Sequence, residues 1–111
     1  MTIEIEDHGD TSVIRLTGGL TMDHTDALRR QCDERIASGM RSAVLDLELL
    51  DGADSEGLET LLWLDDLVGA AGGRLRLARA NDIVKTILQV TRLDGRFDVH
   101  PDIESAARSL R

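Results

Sequence analysis

The stretch Leu45-Asp46-Leu47-Glu48-Leu49-Leu50-Asp51-Gly52-Ala53-Asp54-Ser55-Glu56-Gly57-Leu58 decides the fold. With Ala43 and Val44 in front of it, the run to Leu47 is short and apolar on both faces, which predicts a buried, central, parallel strand. Its end delivers Asp51 to Gly57 as a turn. From Leu58 the positions Leu61, Leu62 and Val68 return to one helical face, until Gly69, Gly72 and Gly73 break the pattern.

Upstream, Ile3 and Ile5 alternate with Glu4 and Glu6. After His8, Gly9 and Asp10 comes Val13, Ile14 and Leu16, so the opening reads as a β-hairpin ended by Gly18 and Gly19. Between Asp23 and Gly39, Leu28, Cys32 and Ile36 recur every four residues opposite Arg29, Arg30, Asp33 and Glu34, the pattern of an amphipathic helix. Downstream, Leu75 and Leu77 alternate with arginines as a strand. Asn81 caps a helix carrying Ile83, Val84, Ile87 and Leu88 that stops near Gly95. Phe97 and Val99 suggest a last strand, and Asp102 caps a short helix with Ile103, Ala106, Ala107 and Leu110. Strands alternating with helices after a hairpin predict an α/β fold: one layer of helices on a mostly parallel mixed sheet of about five strands.

Composition narrows the function. A chain of 111 residues is the size of one domain, and residues 1–111 read as one unit without repeat or linker. Lys and Arg total 13 against 21 Asp and Glu, a net charge of −8 that argues against nucleic acid and anionic membrane as partners. Hydrophobic residues make up 41% of the chain, enough for a packed core, yet Trp63 and Phe97 are its sole aromatics, so base-stacking platforms are missing. No run approaches the roughly 18 apolar residues of a membrane span. The start, with Glu4 and Glu6, lacks the basic-then-apolar order of an export signal, and the expected location is the cytosol.

The central stretch resembles the STAS family, the sulfate-transporter and anti-sigma-factor-antagonist domain. Members carry a buried strand, a short loop and Asp-Ser-Ser/Ala-Gly-Leu opening a helix, and Asp54, Ser55, Glu56, Gly57 and Leu58 match all but the third place. Leu16-Thr17-Gly18-Gly19-Leu20, Gly72-Gly73-Arg74-Leu75 and Thr91-Arg92-Leu93-Asp94 look like family landmarks in the right order, so the resemblance covers almost the whole chain. It implies a switch in which Ser55 accepts phosphate from a partner anti-sigma-factor serine kinase, which this chain binds when unmodified. A serine at a helix N-terminus suits that role, since free amides and the helix dipole favour a phosphate there. The added charge of roughly −1.5 to −2 would join Asp51, Asp54, Glu56 and Glu59 and repel an acidic patch on the partner. Two positions depart from the family: Glu56 replaces a small residue beside the acceptor, and Thr21 stands where an acidic residue is common.

The expected partner-binding set is Thr21, Asp54, Ser55, Glu56, Gly57, Thr60, Trp63 and Leu67. Glu56, Thr60, Trp63 and Leu67 share the helix side opposite Leu58, Leu61, Leu62 and Val68. Trp63 and Leu67 either wedge against a neighbouring helix or form a partner surface, weak homodimerisation included. The plainer reading of the Asp54-Ser55 pair is that Asp54 or Ser55 simply caps the helix. The runner-up function is a STAS subunit of another assembly, such as a lipid-transport ATPase complex or a stress-signalling scaffold, docking through the same loop without phosphorylation. Ala53-Asp54-Ser55-Glu56-Gly57 also fits a relaxed nucleophile elbow, with His100 and Asp94 or Asp98 completing a Ser, Asp, His order, but the chain is too short for an α/β-hydrolase and lacks a glycine-rich oxyanion segment. His8, His24 and His100 lack ligand spacing, so neither a metal nor another cofactor is expected. Cys32 reads as a core residue.

Overall fold

The computed structural model describes residues 1–111. β1 (Thr2–His8) and β2 (Thr11–Leu20) form the expected antiparallel hairpin, with Ile3 opposite Leu16 and Ile5 opposite Ile14. There follow α1 (Met22–Ala37), β3 (Ser42–Asp46), β4 (Leu50–Ala53), α2 (Ser55–Ala70), β5 (Leu75–Ala78), α3 (Asp82–Val90), β6 (Val99–His100) and α4 (Ile103–Arg108). The sheet runs β1-β2-β3-β5-β6, and every pairing beyond the hairpin is parallel.

The sheet has six strands where about five were expected, and the extra one is β4, which lies in the stretch read as a turn. Its partner explains why. β2 does not end at Gly18 and Gly19: its first half pairs with β3, the register shifts between these two glycines, and its last residues pair with β4. Gly18 adopts φ 93°, a conformation that side chains other than glycine's resist, and its N–H donates to the Leu49 carbonyl at 3.0 Å. One long strand thus serves two parallel neighbours in succession.

The principal core lies between the sheet and α1, α2 and α3. Ile14, Leu16 and Leu20 of β2, Leu45 of β3 and Leu77 of β5 meet Leu28 and Cys32 of α1, Leu61, Leu64 and Val68 of α2, and Val84 and Leu88 of α3. The single helical layer holds for these three helices, while α4 departs from it and packs on the opposite face, where Ala106 joins Val44 and Ala78. The cause is visible in β3. Because Ala43 and Leu45 face one way and Val44 the other, burying the strand requires cover on both sides. Asn81 and Asp102 cap α3 and α4 as expected, accepting from the amides of Val84 at 3.0 Å and Ser105 at 2.7 Å. α3 stops at Val90, short of Gly95, because the amides of Leu93 and Asp94 both fold back onto the Leu88 carbonyl.

Candidate functional site

The β4–α2 connection brings Asp54 and Ser55 to the surface. Ser55 is the first residue of α2 and is exposed, while Asp54 is its N-cap. Each carboxylate oxygen of Asp54 has its own task. Oδ1 accepts the Gly57 N–H at 2.8 Å, the ordinary cap of α2, and Oδ2 accepts the Met22 N–H at 2.9 Å, at the start of α1. Thr21, the N-cap position of α1, makes no side-chain cap bond of its own, so α1 borrows its cap from α2. These bonds, from Met22 first and Gly57 second, hold the Asp54 carboxyl below the usual carboxylate range. They also alter the expected environment of Ser55. The amide of Gly57 is already taken, so a phosphate on Ser55 would share the end of α2 with an existing anion.

Gly57 is buried and belongs to the framework, because a Cβ there would collide with the Leu20 carbonyl of β2. That contact sets how closely α2 approaches the sheet. The Asp54 N–H donates to the same carbonyl at 3.2 Å, so the chain enters α2 in one fixed pose.

The remaining expected residues divide. Glu56 is exposed beside Ser55, as are Asp51 and Glu59, and Thr21 is half-buried with its hydroxyl 3.3 Å from Nδ1 of His24. Gly19 lies against both Asp51 and Thr21, and Met22 is bonded to Asp54, so the end of β2 and the start of α1 adjoin the Ser55 site. Thr60 corrects the expectation: it is fully buried, donates to the Glu56 carbonyl at 3.0 Å and accepts from Arg29 at 3.3 Å, and so cannot meet a partner. Trp63 and Leu67 are half-buried against the core, with the Arg29 guanidinium 5.2 Å from the centre of the Trp63 ring. α2 therefore buries a wider arc than its leucines alone suggest, because α1 packs along its side. Met22, 65% exposed at the α1 terminus, and Leu49, 52% exposed in the β3–β4 turn, were not singled out in the sequence. An exposed methionine one residue past Thr21 carries no sequence signal of its own.

Away from this site, Asp46 at the end of β3 is fully buried. Burial pushes its carboxyl up, but hydrogen bonds from Arg79 at 3.1 and 2.6 Å, from Arg15 at 2.9 Å and from the Glu48 amide outweigh that and leave it below its ordinary value. Arg79 also pairs with Glu48 and holds a left-handed backbone at φ 55°. The one polar residue inside the apolar run Ala43 to Leu47 was the available signal, since a buried carboxylate demands cationic partners. Cys32 is buried and its thiol is pushed up to about 12, which keeps it protonated and unreactive. The Ser, Asp, His order is not assembled: His100 lies on β6, beyond β3 and β5 from the strand that β4 joins, and His24 is held by Thr21. No three His, Cys, Asp or Glu side chains group as they would around a metal ion, and no helix is long and apolar enough to cross a membrane.

Comparison with known proteins fits this architecture. Residues 3–101 match the family model described as Mlab, STAS domain. The chain is 30% identical over 111 residues to the anti-sigma F factor antagonist of Paenibacillus polymyxa, covering 99% of this chain and 92% of that protein. Among solved structures, the anti-sigma factor antagonist SpoIIAA in its unphosphorylated form superposes with a TM-score of 0.82 at 23% identity, over 97% of this chain and 96% of that one. The phosphorylated form of the Bacillus cell fate determinant SpoIIAA gives 0.75 at 21% identity, over 97% and 99%. At these identities the two structures speak for the fold.

Proposed function

This chain belongs to the STAS domain family, and from that premise we propose that it is an anti-sigma-factor antagonist that binds an anti-sigma serine kinase and is switched by phosphorylation of Ser55. The observation that carries the reading is the exposed Ser55 at the first position of α2, with Asp54 beside it bonded to Gly57 in the same turn and to Met22 at the start of α1. A kinase can reach such a hydroxyl without unfolding anything. The relationship to an anti-sigma F factor antagonist along almost the whole chain supports the partner class.

The switch works by charge. Asp51, Asp54, Glu56 and Glu59 already make this end of the molecule acidic, and a phosphate adds roughly −1.5 to −2 more. A partner surface that tolerates the unmodified acids is repelled by the modified set, while the core under α2 is untouched. Docking is then a cytosolic protein–protein event that needs no cofactor, with Trp63 and Leu67 at its half-buried rim.

Incubation with ATP and a cognate anti-sigma serine kinase should transfer one phosphate to Ser55, read by peptide mass spectrometry, and Glu56→Ser should speed the transfer by removing a charge beside the acceptor. Absence of phosphate on Ser55 would overturn the switch. Glu56 favours a second reading, in which the same loop docks on another assembly, such as a transport ATPase, with no phosphorylation cycle. That reading expects binding by a chain that the kinase never modifies.

A further inference from the structure

Asp54 does more than cap α2. An α-helix leaves its first amides without intrahelical partners, and two helices here present such amides to one carboxylate. The two bonds differ in how they are tethered. Gly57 is three residues from Asp54 and follows it in the same turn, whereas Met22 is 32 residues away and reaches Asp54 only through the tertiary fold. Because Thr21 supplies no cap bond, nothing else in the side chains secures the Met22 amide. The α1 turn so held carries the half-buried Thr21, the exposed Met22 and the exposed Asp23.

We propose that Asp54 couples the charge state of Ser55 to the first turn of α1, so that a negative charge on Ser55 releases the Met22 amide and loosens Thr21 to Asp23. A charge on the next residue repels the Asp54 carboxylate and competes for its amides, and the bond that yields is the one not tied by sequence proximity. The surface that changes on modification then includes the α1 terminus as well as α2. The inference rests on the reading of Ser55 as the modified residue, but the coupling itself is testable without any partner.

The probe is the amide proton shift of Met22 and Gly57 by NMR in the isolated chain. A hydrogen bond to a carboxylate moves an amide proton downfield, so Ser55→Asp should move Met22 upfield while Gly57 changes less and Leu64 in the core does not move. Ser55→Asn, neutral and of similar size, should leave Met22 in place. Asp54→Asn replaces one of the two accepting oxygens by an NH2 that cannot accept, so one of the two amides loses its partner, and the one lost should be Met22. An unmoved Met22 signal in Ser55→Asp, or an equal movement in Ser55→Asn, overturns the coupling. Neither result bears on whether a kinase modifies Ser55, so the two proposals fail separately.

Discussion

Asp46 and Asp54 stand on one connection, at the end of β3 and the start of α2, and they are put to opposite uses. Asp46 is buried at the end of its strand and paired with two arginines drawn from β2 and from the exit of β5. Asp54 lies at the surface and is held by backbone amides. Both carboxyls sit below their ordinary value, for different reasons: charged side chains offset the burial of one, and helix-terminal amides stabilise the other. A buried carboxylate bonded by arginines serves the fold and offers no free negative charge at the surface. One held by amides keeps its full negative charge at the surface, where a partner can sense it.

The sharpest challenge to this division comes from Gly57, a framework residue inside the surface site. Gly57→Ala should lower stability by about 3 kcal/mol, the upper end for overpacking, because the new methyl group meets the Leu20 carbonyl and not a side chain that can rotate away. A chemical melt as stable as the parent would mean that α2 is free to shift. Asp46→Ala follows, at about 2 kcal/mol; removing one member of a fully buried pair costs roughly 3 to 5, but Arg15 and Arg79 are partly exposed and recover hydration. Partner affinity should be unchanged in that variant, and a selective loss of binding would break the comparison.

Trp63→Ala should cost about 1.5 kcal/mol, well under the 3 to 5 of a fully buried aromatic, because the ring is half-buried and shares its face with Arg29. A full-sized loss would make Trp63 purely a core residue. Acid pH offers the gentlest test. Both carboxyls are depressed in the folded state, so their contribution is fully present above the unfolded value near 4 and is lost as pH falls through the lower folded values. Asp46→Asn and Asp54→Asn should each flatten the acid limb of a stability–pH curve. If neither does, the hydrogen bonds described at these two residues contribute nothing to it.

The part of this architecture legible in the sequence is the part made of local chemistry. The caps at Asn81 and Asp102, the inward phase of Cys32 and the position of Ser55 at the start of α2 each follow from residues within one or two turns of one another. What escaped depends on distant neighbours. β4 exists because β2 shifts register at Gly18 and Gly19, and a four-residue strand containing Asp51 and Gly52 has no alternation to reveal it. Thr60 looks like a surface residue until Arg29 of α1 covers it, and Asp54 looks like an ordinary cap until Met22 arrives from another helix. The charge centre at Asp46 needs arginines more than 30 positions away on both sides.

The central claim is that the Ser55 end of α2 is a protein-docking surface gated by charge. Calorimetric titration of a cognate anti-sigma serine kinase with the parent, Ser55→Ala and Ser55→Asp tests it directly. Ser55→Ala should bind like the parent and Ser55→Asp at least about tenfold more weakly, the factor that corresponds to about 1.4 kcal/mol of repulsion, with Ser55→Ala melting with the parent and Ser55→Asp losing no more than one helix cap, about 1 kcal/mol. Equal affinity for Ser55→Asp and the parent would contradict the account.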